Sequence, residues 1–310
     1  MSDSARLLED LHIRDPYDGF IFKAETVRNP PILKPHRHLE LELNLVVGGE
    51  IRYVVGNRRY HFSAGSLIWI FPGQVHQLVD RSPGAAYFVT VFRPDRMQDL
   101  HASGRYRGML EALPPVEGVL SLRPSSAQFQ MLRQTMAELC AGGMDPDLLN
   151  REAGFGLTPG FRFEHSDPAG LNAGLRHLGL CAWRITEEGQ QEEPVPPLHP
   201  AVLKALEHIR TSDPPHRLPE LARRCGVSPS TLSRLFRAQM GIPLNRYRNS
   251  VMLTRFMEHT SRGRPTILES VHAAGFGSYA QFHRVFRDAY GRSPREILSG
   301  RTPQGYFDGA

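Results

Sequence analysis

Residues 220–243 read ELARRCGVSPSTLSRLFRAQMGIP, and residues 269–294 read ESVHAAGFGSYAQFHRVFRDAYGRSP. The two stretches are one pattern written twice. Each runs through a short apolar-patterned segment to a Gly (Gly226, Gly275) and a Ser (Ser228, Ser278). An R-x-F-R run follows (Arg234 to Arg237, Arg284 to Arg287), closed by Gly241 or Gly291 and a nearby Pro243 or Pro294. Gly accepts the backbone of a sharp turn, Ser caps the helix after it, and a Gly followed by Pro ends that helix. The pattern predicts two pairs of steeply crossing helices. Between them, Leu244 to roughly Glu258 is amphipathic and predicts a rigid connecting helix.

On a helical wheel, Leu232, Leu235 and Phe236 fall on one side of the second helix of the first copy, and Ser230, Ser233, Arg234 and Arg237 on the other. In the second copy Phe282, Val285 and Phe286 oppose Ala280, His283, Arg284 and Arg287, with Gln281 at the edge. An apolar stripe with arginines and small or amide side chains behind it suits a helix lying in a DNA major groove. Arg forks onto guanine, Gln onto adenine, and outer Arg side chains hold phosphates. A solvated Arg-rich face is the ordinary alternative, and two copies on one rigid helix weigh against it.

Charge follows the same division. Between Leu198 and Gly300 there are sixteen Lys/Arg and seven Asp/Glu, a net of +9; the rest of the chain, with 21 and 25, nets −4. The basic part is nearly all Arg, which marks where a polyanion would bind. At 310 residues with 40% hydrophobic and 22% charged, the chain predicts a two-domain globular protein. Cys140, Cys181 and Cys225 are isolated and read as small core residues. No apolar run reaches membrane-span length and the N-terminus has no signal-peptide pattern, so no membrane partner and a cytoplasmic location are expected.

The stretch 218–298 closely resembles the DNA-binding domain of AraC/XylS-type transcription regulators. The residues ELARRCGVSPSTLSRLFRAQMGIPLNRY and AAGFGSYAQFHRVFRDAYGRSP carry the resemblance. It implies two helix-turn-helix units entering successive major grooves, with base contacts on Ser230, Ser233 and Arg234 and on Ala280, Gln281 and Arg284. Arg237, His283 and Arg287 complete the expected DNA-binding set. The chain departs from the usual pattern at Ser270-Val271, where the family reads Ile-Ala.

The first hundred residues predict short strands between close turns: Glu50–Val55, Arg58–Phe62, Ser66–Phe71, Gln74–Asp80 and Ala85–Phe92. Before them lies PHRHLELEL, residues 35–43, which alternates His36, His38, Glu40 and Glu42 with aliphatic residues and predicts a strand with one polar face. His36-x-His38-x3-Glu42, then Gly65 and Pro72-Gly73-Gln74-Val75-His76, are similar to the two cupin motifs. In metal-binding cupins the positions of His36, His38, Glu42 and His76 converge. That donor set suits a divalent transition metal. A metal-free effector pocket formed by His36, His38, Glu40, Glu42 and His76, or a merely structural polar face, are the other readings. No cofactor is expected to be required, and a divalent transition metal is a possible one. Trp69 and Phe71 could stack on a ligand, and core packing is their commoner role.

Two helical seams follow: Phe129, Leu132, Met136, Leu139, and Leu171, Leu175, Leu178, Ala182, Ile185. They either pack on the barrel or join two copies. The expected fold is α+β with two domains: a cupin-like sensor barrel (1–122), a helical dimerisation or packing segment (123–186), a linker (187–199), an all-α double helix-turn-helix domain (200–300) and a tail (301–310). The 142–168 segment has no assigned role. The expected function is a sequence-specific transcription regulator, not an enzyme. Its expected partners are double-stranded DNA, a small-molecule effector, a second copy of the chain and RNA polymerase. The alternative is a metal-dependent cupin enzyme with an appended DNA-binding domain, for which Glu40 is the sole acid–base candidate.

Overall fold

The computed structural model describes residues 7–25, 35–102, 104–111, 118–143, 163–193, 195–213, 215–261 and 266–299. Most of the 142–168 segment and the 301–310 tail lie outside these residues.

The N-terminal part consists of two antiparallel sheets. One has the order β1-β7-β2-β5-β8, from Gly19–Glu25, Ala86–Phe92, Leu41–Gly48, Leu67–Ile70 and Leu120–Leu122. The other has the order β4-β3-β6, from Arg58–Ser63, Glu50–Val55 and His76–Arg81. Five of these strands match the predicted segments within two residues at each end, because each is bounded by a turn that its sequence announces. Gly56, Gly65, Gly73 and Gly84 all take positive φ there.

The first predicted strand is corrected. PHRHLELEL is not one strand: β2 begins at Leu41, and residues 39 and 40 bend. His36 pairs with His76 as an isolated bridge, and the carbonyl of His38 accepts from Gly73 N at 2.7 Å. Leu39 is 65% exposed, so it belongs to no aliphatic face.

From Leu41 onward the alternation holds on both sides. Glu42 faces the space between the sheets, whereas Leu43 pairs with Trp69 on the opposite face. That outer face is covered by α1 (Ser126–Ala141) and α2 (Pro168–Glu188). Trp69 is fully buried, donates from Nε1 to Thr186 Oγ1 at 2.8 Å and meets Trp183 edge-on at 5.6 Å. Trp69 and Phe71 are therefore core. The seam residues Leu132, Met136, Leu171, Leu175, Leu178, Ala182 and Ile185 are buried in that same core. These seven seam residues pack within the protomer, and Phe129 and Leu139 are partly buried against the same core.

The linker is bound to the barrel. Glu192 N donates to Ser121 O at 2.9 Å, Arg58 bonds the carbonyl of Val195, and Leu198 N donates to Asn57 O at 2.8 Å. It leads to α3 (Pro200–Thr211), which precedes the repeat. The repeat forms α4 (Leu218–Arg224) and α5 (Pro229–Met240), then α6 (Leu244–Ser261), then α7 (Ile267–Ala273) and α8 (Tyr279–Tyr290), with α9 (Pro294–Ser299) closing the domain. Ser228 and Ser278 cap α5 and α8, and Gly241 and Gly291 end them in the left-handed conformation. α6 runs through two separate cores. Leu244, Tyr247 and Val251 belong to the first, with Leu232 and Phe236; Met252, Leu253, Phe256 and Met257 belong to the second, with Phe282 and Phe286. No described helix is long and apolar enough to cross a membrane.

Candidate functional site

A cavity of about 720 Å³, counting the solvent at its mouth, lies between the two sheets. His36, His38, Glu42, His76 and Glu9 line its polar end, and Phe20, Phe22, Leu78, Val89 and Val91 its apolar body. Strand starts place the polar groups: Glu42 is the second residue of β2, and His76 the first of β6. The bend at residues 39 and 40 brings His36 and His38 to them. The His36 and His76 rings are 4.2 Å apart, His38 and His76 5.1 Å, and one nitrogen from each lies within 4.8 Å of the others.

Their hydrogen bonds set their charge. His38 Nε2 is 3.2 Å from Glu42 Oε2 and its Nδ1 is 3.2 Å from Glu40 O, so both ring nitrogens have oxygen acceptors. Burial acts to lower the His38 pKa, but the bond and charge of Glu42 outweigh it and raise it. Burial acts to raise Glu42, yet the bond from His38, the neighbouring imidazoles and the Asn44 amide at 2.6 Å bring it down to about 2. His76 is different. Burial and the adjacent His36 push it down to about 3, so it is neutral. Its Nδ1 lies 2.9 Å from Gln74 O, which assigns the proton to Nδ1. Nε2 is then a buried lone pair with no hydrogen bond among the described residues, 3.7 Å from Glu42 Oε2. Three imidazoles, one with a free lone pair, and an ionised carboxylate fit a divalent transition metal.

Glu40 does not line the cavity and sits beside His38, 3.6 Å from its Nδ1. The phenols of Tyr53 and Tyr87, which sequence reasoning did not pick out, do line it, and burial raises the pKa of both. Their strand alternation held a signal, but it did not say which sheet face encloses a cavity.

The second surface is helical. Leu232, Phe236, Phe282 and Phe286 are buried, as the wheels required. Ser230, Arg234 and Arg237 on α5, and Ala280, Arg284 and Arg287 on α8, are exposed, while Ser233, Gln281 and His283 are half-buried. Ser233 Oγ donates to Pro229 O at 2.9 Å, and Gln281 Oε1 accepts from Gly277 N at 3.3 Å. Sequence reasoning missed Tyr279, 44% exposed at the first turn of α8 and 6.0 Å from the His283 ring. Not every arginine joins this surface. Arg255 Nη2 donates to the carbonyls of Ile209, Arg210 and Ser212 at 2.9–3.1 Å and so holds the C-terminal end of α3.

Comparison with known proteins gives matches in both parts. Residues 26–151 match an AraC-like ligand binding domain, residues 221–300 a helix-turn-helix domain, and residues 202–238 also an IclR helix-turn-helix domain. The HTH-type transcriptional regulator GlxA of Rhizobium meliloti is 29% identical over 161 residues, 51% of this chain and 48% of that protein. The arabinose operon regulatory protein of Escherichia coli is 30% identical over 142 residues, 42% of this chain and 49% of that protein. The chain thus spans about half the length of the curated relatives it matches. Among solved structures, ToxT from Vibrio cholerae aligns over 91% of this chain and 97% of its own, at 12% identity and a TM-score of 0.32.

Proposed function

We propose that this chain, which matches an AraC-like ligand binding domain over residues 26–151 and a helix-turn-helix domain over residues 221–300, binds duplex DNA sequence-specifically and regulates transcription in response to a small molecule. The observation that carries the reading is the pair of matched helices, α5 and α8, each exposing arginines and burying an apolar stripe. Ser230, Ser233, Arg234 and Arg237 would contact one half-site, and Gln281, His283, Arg284 and Arg287 the other. α6 has eighteen residues, about 27 Å of helix, a length suited to readers one duplex turn apart. Selection of DNA from a random pool by the full chain tests this. The expected product is a two-part motif with centres roughly 10 base pairs apart. No enrichment at low salt would remove the reading.

The effector site in this reading is the cavity between the sheets, with His36, His38, Glu42 and His76 at its polar end. These four would hold a divalent transition metal, which as a Lewis acid could anchor an oxygen-bearing effector there. Elemental analysis of protein purified without an affinity tag decides that point. About one metal per chain, lost in His36→Ala/His38→Ala, supports it; none leaves an organic effector held by the imidazoles directly. No observation favours the enzyme alternative, whose acid–base candidate Glu40 lies off the cavity. A homodimer, contact with RNA polymerase and a cytoplasmic location complete the proposal. Sedimentation velocity tests the first, since paired operators usually meet paired proteins.

A further inference from the structure

β6 touches both halves of the molecule. His76 and Leu78 line the cavity. Gln77 and Val79 point the other way, as strand alternation requires, and a bulge at Val79 turns Asp80 to that side as well. Gln77, 1% exposed, meets the hydroxyl of Tyr247 on α6, with Nε2 at 3.1 Å and Oε1 at 3.3 Å. Val79 is buried in the core of the first helix-turn-helix unit, together with Val54 of β3. Asp80 accepts from Arg246 of α6 at 3.0 Å and from Arg52 of β3 at 2.6 Å.

The β3–β6 register steps from Arg52 opposite Asp80 to Tyr53 opposite Leu78, so Val79 is an inserted bulge residue at the point of contact. Tyr247 in turn packs on Phe236 of the DNA-reading helix α5, with ring centres 5.5 Å apart. A second contact reinforces the first: a side chain built on Gly241, the C-terminal cap of α5, would stand 2.9 Å from Arg59 Nη1 and 3.6 Å from Arg52.

We infer that β6 transmits the state of the barrel cavity to the first helix-turn-helix unit, with the buried Gln77–Tyr247 hydrogen bond as the positioning contact. The inference rests on the proposed regulator function and assigns its internal route. A purely apolar interface tolerates sliding. A buried amide–phenol pair does not, because a small shift leaves two polar groups unsatisfied. The bulge at Val79 lets β6 move locally without unzipping its ladder. An object pressing on His76 and Leu78 therefore moves Gln77, and with it Tyr247, α6 and α5.

The test is hydrogen exchange by mass spectrometry on the full chain, read over β6 and over residues 244–258. Leu78→Ala perturbs the cavity from β6; Val89→Ala perturbs the same cavity from β7, which among the described residues pairs only with β1 and β2 and contributes to the barrel core. Leu78→Ala is expected to change exchange in residues 244–258 by about fivefold, the scale of one buried hydrogen bond, and Val89→Ala to leave it within twofold. Adding Tyr247→Phe, or Gln77→Met as an independent variant, should abolish the response in residues 244–258 while β6 still responds to Leu78→Ala. Equal effects from both cavity substitutions, no response in residues 244–258, or a response that survives both uncoupling variants overturns the inference. DNA retention by the same proteins is scored separately. Coupled exchange without DNA binding removes the regulator reading and leaves the route; DNA binding without coupling removes the route alone.

Discussion

Ser270 is buried in α7 at 1% exposure, and its hydroxyl has no hydrogen-bond partner among the described residues. A sealed, unmet hydroxyl costs about 1–3 kcal/mol, whereas Ala there would cost nothing of the kind. Ser270→Ala should therefore raise stability by roughly 1 kcal/mol, seen as a higher urea midpoint at unchanged slope. The departure from the family pattern at this position was visible in the sequence; that the hydroxyl has no partner was not, because only packing decides it. His76 makes a second residue-scale case. Its pKa lies at about 3, against 6.5 for the free side chain. Below 6.5 the unfolded chain takes up a proton that the folded barrel refuses, so stability falls as pH drops from 6.5 toward 3. Glu42, at about 2, acts in the same direction below 4.5, while the raised pKa of His38 exerts its pH effect above 6.5. In chelator-treated protein, moving from pH 6.5 to 5.0 should cost about 2 kcal/mol through His76 alone. His76→Gln should lose that part of the slope, and an unchanged slope would show that His76 protonates within the fold.

Elements were more legible than sites. The turns of the helical repeat are fixed by residue type: Gly226 and Gly275 take φ of 75° and 94°, and Ser228 and Ser278 cap as expected. The histidine stretch was misread because alternation of residue types carries no information about where a backbone turns. The bend at Leu39 and Glu40 follows from the His38 carbonyl meeting Gly73 N, a partner thirty-five positions away. The consequence for chemistry is that Glu42 enters the cavity and Glu40 does not. On α8 the geometry separates roles that the wheel merged. Arg284, one turn beyond the exposed Ala280, stands on the face expected to meet base edges; Arg287 lies in the last turn. Arg284→Ala should cost about 1–3 kcal/mol and relax preference at one base position, and Arg287→Ala should weaken all sequences alike and lower the salt slope by about one. Uniform weakening from both would make Arg284 a phosphate contact.

At the scale of the molecule, the charge division and the linker composition announced two domains, and they gave no sign that the domains share a core. Val54 and Val79 come from the barrel, yet they are buried with Leu206, Phe236 and Tyr247 of the helical part. The linker, which composition read as a spacer, is hydrogen-bonded along the barrel at Glu192, Val195 and Leu198. An isolated segment from Leu198 onward would therefore lose two buried valines and the Gln77–Tyr247 and Asp80–Arg246 contacts. Each valine contributes about 1.5–3 kcal/mol on full burial, so the first helix-turn-helix unit should be destabilised by roughly 3 kcal/mol or more when cut free. The second core, built from Met252, Phe256, Val271, Phe282 and Phe286 with no barrel residue among the described residues, should be unaffected. Hydrogen exchange on the fragment and the full chain checks this directly. Faster exchange confined to α3–α5 and the start of α6 is the expected result, and equal protection of both units in the fragment would show that the barrel contributes nothing to their fold.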